Sequence, residues 1–132
     1  GVSVGTYSLQ ALDKLSAGPG FGTSFKQSVL DNIVSREDNV RQVLTRVQLG
    51  EVDAGIVYAT DAQAANTASS GTVPPVKALA IDDKYNVVAT YYIAEVKGAE
   101  HSATARMWLT YLLSDAGQAL LEKYGFSRAV NP

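Results

Sequence analysis

The chain has 132 residues, of which 46% are apolar and 18% carry a charge. This length fits one globular domain, and the composition excludes disordered and fibrous proteins. Eleven Lys and Arg against thirteen Asp and Glu give a net charge of −2 with no long basic block, so nucleic acid is not expected as a partner. The absence of cysteine excludes thiolate catalysis, disulfides and cysteine-based metal sites.

Three helices are predicted in the first fifty residues. Apolar spacing predicts a helix over residues 6–15, which the Gly-Pro-Gly turn at 18–20 ends, and a second over residues 21–33. The third is the best defined, because Asp38 or Asn39 can cap its start and Gly50 fits its end. Its apolar residues recur on one helix face: Val40, Val43, Leu44 and Val47.

The middle of the chain carries short apolar segments that predict strands. These are residues 54–59, 76–81 and 87–96, with a short helix over 61–68 and a loop over 69–75 between the first two. Helices over 103–113 and 115–123 follow. The last two strands lie a short turn apart, so the predicted fold class is α/β, a three-layer-like sandwich with a small mixed sheet flanked by helices.

Three segments place hydrogen-bond donors where an anion can bind. A glycine bend at Val4-Gly5 runs into the first helix and leaves backbone N–H groups at its positive end. Val40 opens the third helix, although on this segment alone a capped surface helix with Val40 in the core explains the pattern better. Tyr58 ends a predicted buried strand and can aim its hydroxyl into a crevice, the alternative being a buried structural tyrosine.

The order of the motifs resembles one known family. The pattern V-x-V-G-x-Y at residues 2–7 is followed by NVRQVLTRVQLGEVDAGIVYATDA at 39–62, VVATYYIAEV at 87–96 and SDAGQALLEKYGF at 114–126. Together they look like the C-terminal part of the molybdate-binding proteins of bacterial ABC importers, which have the type II periplasmic-binding-protein fold. The resemblance covers essentially the whole chain and implies one lobe of that fold.

The resemblance implies a binding protein for molybdate or tungstate with no catalytic activity. In the family a tetrahedral oxyanion lies between two lobes, and the matching donors here are the backbone N–H groups of Val4 and Val40 and the hydroxyl of Tyr58. No cofactor is implied, and no metal except the metal centre of the bound oxyanion. The family's other lobe supplies two serine hydroxyls that have no counterpart here, so this chain holds at most half of such a site.

The same resemblance implies the organisation and surroundings of the chain. Residues 1–97 would form the ligand-binding lobe, and residues 98–132 the C-terminal helices that in the family pack on the other lobe. The partner would be an ABC permease in the membrane, and the location periplasmic or extracellular, with a lipid anchor through an N-terminal region as a further option.

Two alternatives remain open at this stage. A stand-alone interaction module or domain-swapped homo-oligomer would cover the stripe of Trp108, Leu109 and Leu112 in the C-terminal helices. An enzyme would have to use His101, the only histidine, which has no second histidine or acidic pair beside it. A solvated helix start explains His101 better.

Overall fold

The computed structural model describes residues 3–68 and 74–129, so most of the predicted 69–75 loop lies outside the described residues. Two compact units divide the chain, Gly1–Ala89 and Thr90–Pro132. Six helices are present in the described ranges: α1 (Ser3–Ala17), α2 (Phe25–Asp31), α3 (Val40–Gln48), α4 (Ala59–Ala68), α5 (Ser102–Leu113) and α6 (Asp115–Lys123). None of them is long and apolar enough to cross a membrane.

The six predicted helices are confirmed, with shifts at their ends. The largest shift is in α2, which begins at Phe25 although residues 21–33 were expected to be helical. Gly20 and Gly22 have φ values of 109° and 84°, which a right-handed helix does not contain. The predicted glycine bend at Gly5 is wrong, because α1 already includes Gly5 in its first turn.

The predicted small mixed sheet is wrong. Residues 54–58, 76–81 and 87–96 lie outside the helices, but they form no strand pair with one another in the part of the chain that is described. β-branched and aromatic side chains favour a pleated surface only when a neighbouring strand supplies hydrogen bonds and cover. Here Val88, Tyr92 and Val96 stay 70%, 92% and 73% exposed. The α/β sandwich is therefore replaced by helix pairs with irregular connections.

In the first unit, α1 packs against α2 and against the turn that carries Tyr85. Ala11, Leu12 and Tyr85 are buried. A Cβ atom added to Gly18 would lie 2.5 Å from Cε1 of Tyr85, so the ring occupies the space that a side chain at residue 18 would fill. The Phe21 ring meets the Tyr85 ring edge-on with 6.0 Å between centroids. This aromatic contact holds the 82–86 turn at the end of α1.

The same unit contains a second packed pair, α3 and α4. Gly55, in the segment that leads into α4, lies directly on the apolar face of α3. A Cβ atom at residue 55 would be 2.4 Å from Cγ1 of Val43 and 3.4 Å from Cγ2 of Val47. Residue 55 must therefore be a glycine, because a larger residue would push the segment before α4 away from α3.

In the second unit, α5 and α6 meet at a tight corner. The Ser114 hydroxyl accepts a hydrogen bond from Gly117 N at 3.3 Å and donates one to Tyr111 O at 2.6 Å. The buried Gln118 donates from Nε2 to Leu112 O and accepts from Ala129 N, both at 2.7 Å. These bonds satisfy the polar groups of the corner and attach the C-terminal segment to it.

Glu95 connects the segment before α5 to the start of that helix. Its carboxylate accepts hydrogen bonds from Arg106 Nε at 2.8 Å and from the Ser102 hydroxyl. The Arg106 guanidinium and then the Ser102 hydroxyl lower the pKa of Glu95, because both stabilise its ionised form. The predicted functional boundary at residues 97/98 lies close to this link and stays a prediction.

Replacing Gly55 by alanine should destabilise the first unit by about 1–3 kcal/mol, because the new methyl group overlaps the stiff side chain of Val43. Urea unfolding followed by circular dichroism measures the change. Gly5→Ala is the matched control, since a Cβ atom there has nothing within 4 Å, and it should be neutral or mildly stabilising. Equal stability of the two variants would contradict the close packing of residue 55 on α3.

Candidate functional site

The start of α3 is held by a reciprocal pair of side-chain caps. Asn39, the residue before the helix, has extended backbone angles (φ −153°, ψ 159°), and its side chain accepts a hydrogen bond from Gln42 N at 3.1 Å. The Gln42 side chain reaches back and accepts from Asp38 N at 3.2 Å. This is a capping box displaced by one residue, and it fixes the direction in which the chain enters α3.

This capping leaves the N–H group of Val40 available to a ligand. The first turn of any helix carries N–H groups that have no partner inside the helix. The Asn39 side chain accepts a hydrogen bond from the N–H of Gln42, whereas no described residue accepts one from the N–H of Val40. The positive end of the helix dipole lies at the same place. The start of α3 can therefore donate a hydrogen bond to an anion.

Tyr58 stands immediately before α4. Its carbonyl oxygen accepts hydrogen bonds from Asp61 N at 3.0 Å and Ala62 N at 3.2 Å, and its own N–H donates to Asp61 Oδ2 at 3.2 Å. The side chain is half-buried. Tyr58 is thus the N-cap residue of α4, a position in which its backbone is held and its hydroxyl is a separate donor.

Val40 and Tyr58 belong to the same packed pair of helices. The segment 54–58 ends at Tyr58, and Gly55 within it lies against Val43, one turn along α3 from Val40. Residues three apart share a helix face. The structure therefore brings the elements that carry these two predicted donors together.

Val4 lies on the other pair of helices. In the described residues α1 begins at Ser3, which places Val4 in its first turn, and the Val4 carbonyl accepts a hydrogen bond from the Ser8 hydroxyl at 2.7 Å. The packing described for α1 is with α2 and with the turn around Tyr85. A joint role of Val4 with Val40 and Tyr58 stays a prediction.

Arg46, in the last turn of α3, is already paired with acidic side chains. Arg46 forms ion pairs with Glu37 and, through Nη1 at 2.7 Å, with Glu51. Glu37, mainly, raises the pKa of Arg46, and a hydrogen bond from Ser35 is the largest cause of the lowered pKa of Glu37. Two carboxylates thus face one guanidinium, so an anion at α3 would depend on N–H and O–H donors rather than on Arg46.

Neither the sequence candidate His101 nor the acidic residue Asp82 of the 82–86 turn forms a site in the described chain. His101 precedes α5 without a side-chain capping bond, and Asp82 is paired with Lys84 at 3.3 Å. Lys84 also lowers the pKa of Asp82 through a backbone and a side-chain hydrogen bond. No group of three or more His, Cys, Asp or Glu residues that could hold a metal ion occurs in the described ranges. Trp108 is 54% exposed and stacks on Tyr111 with 5.8 Å between centroids.

Two residues of the candidate site did not emerge from the sequence analysis. Gln42 completes the α3 cap, and Asp61 holds the backbone of Tyr58. The signal for Gln42 was present, because Asn39-x-x-Gln42 has the spacing of a capping box. The spacing Tyr58-x-x-Asp61 is the same, but a tyrosine at the first position does not mark a cap.

Replacing Asn39 by alanine should lower the free energy of unfolding by about 1 kcal/mol, because the N–H of Gln42 loses its acceptor. Asn39→Ser keeps an oxygen acceptor at the cap and should retain most of the stability. Urea unfolding of both variants measures the difference. The cap would not hold α3 if Asn39→Ala were as stable as Asn39→Ser.

Comparisons with known proteins connect this chain to a family. Residues 1–127 match the family model described as bacterial extracellular solute-binding protein. The chain is 36% identical over 126 residues to the putative ABC transporter substrate-binding lipoprotein YvgL of Bacillus subtilis, covering 96% of this chain and 42% of that protein. No solved structure matches the chain at a significant level.

Two further relatives carry the name molybdate-binding protein ModA. The protein of Haemophilus influenzae is 34% identical over 126 residues, which cover 96% of this chain and 43% of the relative. The protein of Mycobacterium tuberculosis is 33% identical over 97 residues, which cover 74% of this chain and 34% of the relative. The chain thus spans about two fifths or less of the length of these relatives.

The family match extends from the first residue to Ser127 and includes every helix described above. The resemblance seen in the sequence motifs is therefore confirmed at the level of the family. The chain belongs to the bacterial extracellular solute-binding proteins.

Proposed function

We propose that this chain takes part in binding molybdate or tungstate for uptake by an ABC importer. The N–H groups of Val4 and Val40 and the hydroxyl of Tyr58 would donate hydrogen bonds to the oxyanion. The observation that carries the proposal is the start of α3, where Asn39 and Gln42 satisfy the cap and leave the Val40 N–H to a ligand. The names of the Haemophilus influenzae and Mycobacterium tuberculosis relatives support the choice of anion.

A site made of neutral donors suits a fully deprotonated tetrahedral anion. Such an anion only accepts hydrogen bonds, and fixed N–H dipoles stabilise it without a cationic side chain. A protonated phosphate would bring a donor that neither backbone N–H can accept, and the Tyr58 hydroxyl oxygen is the one acceptor among the three groups. The larger size of molybdate and tungstate distinguishes them from sulfate, because the spacing of fixed donors selects one radius.

This chain alone should bind the anion more weakly than a site that includes the donors of both lobes. The family resemblance assigns two further serine hydroxyls to a segment without a counterpart in this sequence. Each charge-assisted hydrogen bond that is missing costs roughly 1.5–3 kcal/mol of binding free energy. Binding in the millimolar range is therefore the expectation for the chain on its own.

The role of a solute-binding protein is to bind its ligand and hand it over, so no catalytic residue is proposed. The partner would be an ABC permease, and the place of action outside the cytoplasmic membrane, in keeping with the extracellular family. A lipid anchor is proposed only by analogy with the Bacillus subtilis relative, whose name includes the word lipoprotein.

The exposed face of α5 does not favour a different function. Met107 and Trp108 are exposed there, and Leu109 and Leu112 of the predicted stripe are only half-buried. Such a face can meet a second copy of the chain or another surface equally well. No contact of the described residues selects a second copy over another surface, and the homo-oligomer is unsupported.

Adding tungstate to the isotope-labelled chain should shift the backbone amide resonances of Val40 and Tyr58 with saturation at millimolar anion. Sulfate at the same ionic strength should leave them in place, because its smaller radius does not match the donors. Two-dimensional NMR measures both titrations. Equal shifts with the two anions, or none with tungstate, would contradict the proposed function.

The variant Asn39→Asp tests, in the same titration, whether the anion binds next to the start of α3. Aspartate caps a helix as well as asparagine does, so α3 should remain folded. Its negative charge would stand next to the Val40 N–H and oppose a dianion, so tungstate binding should weaken by about tenfold or more. Asn39→Ser is the neutral control and should bind as the unsubstituted chain does.

A further inference from the structure

We draw no further inference here: the strongest candidate, the exposed apolar face of α5 around Met107, Trp108 and Tyr111, is an unpartnered helix face, and nothing in the described part of the chain shows what covers it.

Discussion

The constraint on which the candidate site depends is that the first N–H groups of a helix have no acceptor inside the helix. Each helix start must find acceptors elsewhere or present its donors to solvent or a ligand. At α3 the side chains of Asn39 and Gln42 satisfy neighbouring N–H groups and leave that of Val40. At α4 Asp61 accepts the N–H of Tyr58. The proposed donors to the anion are therefore neutral groups on the polypeptide backbone and a tyrosine side chain.

The packing of α3 against α4 and the segment before it brings together the elements that carry two of the proposed donors. Gly55 allows the segment before α4 to approach Val43 on α3, and the absence of a side chain at residue 55 sets the separation of the two elements. The ion pairs of Arg46 with Glu37 and Glu51 add a link between α3 and the chain on either side of it. Arg46 is occupied by these carboxylates, and the spacing of the N–H and O–H donors is what would discriminate between anions of equal charge.

The sequence predicted the parts of this arrangement that depend on local physics. The stripe of Val40, Val43 and Val47 and the Asn39 cap defined α3. The role of Tyr58 as a donor stays a prediction. The sheet was wrong because Val88 and Tyr92 express a preference that only a paired neighbour can satisfy, and the described chain provides none. Asp61 was missed because a tyrosine three residues before an aspartate does not mark a helix cap. The bend at Gly5 was wrong because glycine is tolerated inside a helix, and α1 begins before it at Ser3.

A tetrahedral oxyanion is proposed to bind between the start of α3 and Tyr58, the last residue of the segment 54–58. A crystal of the chain soaked in tungstate tests this most directly, because tungsten is located from its anomalous scattering without assumptions about the site. We expect a tungsten peak with the tungstate oxygens at hydrogen-bond distance, about 2.7–3.2 Å, from Val40 N and the Tyr58 hydroxyl. Tungsten found only at surface lysines or arginines, with both donors unoccupied, would contradict it.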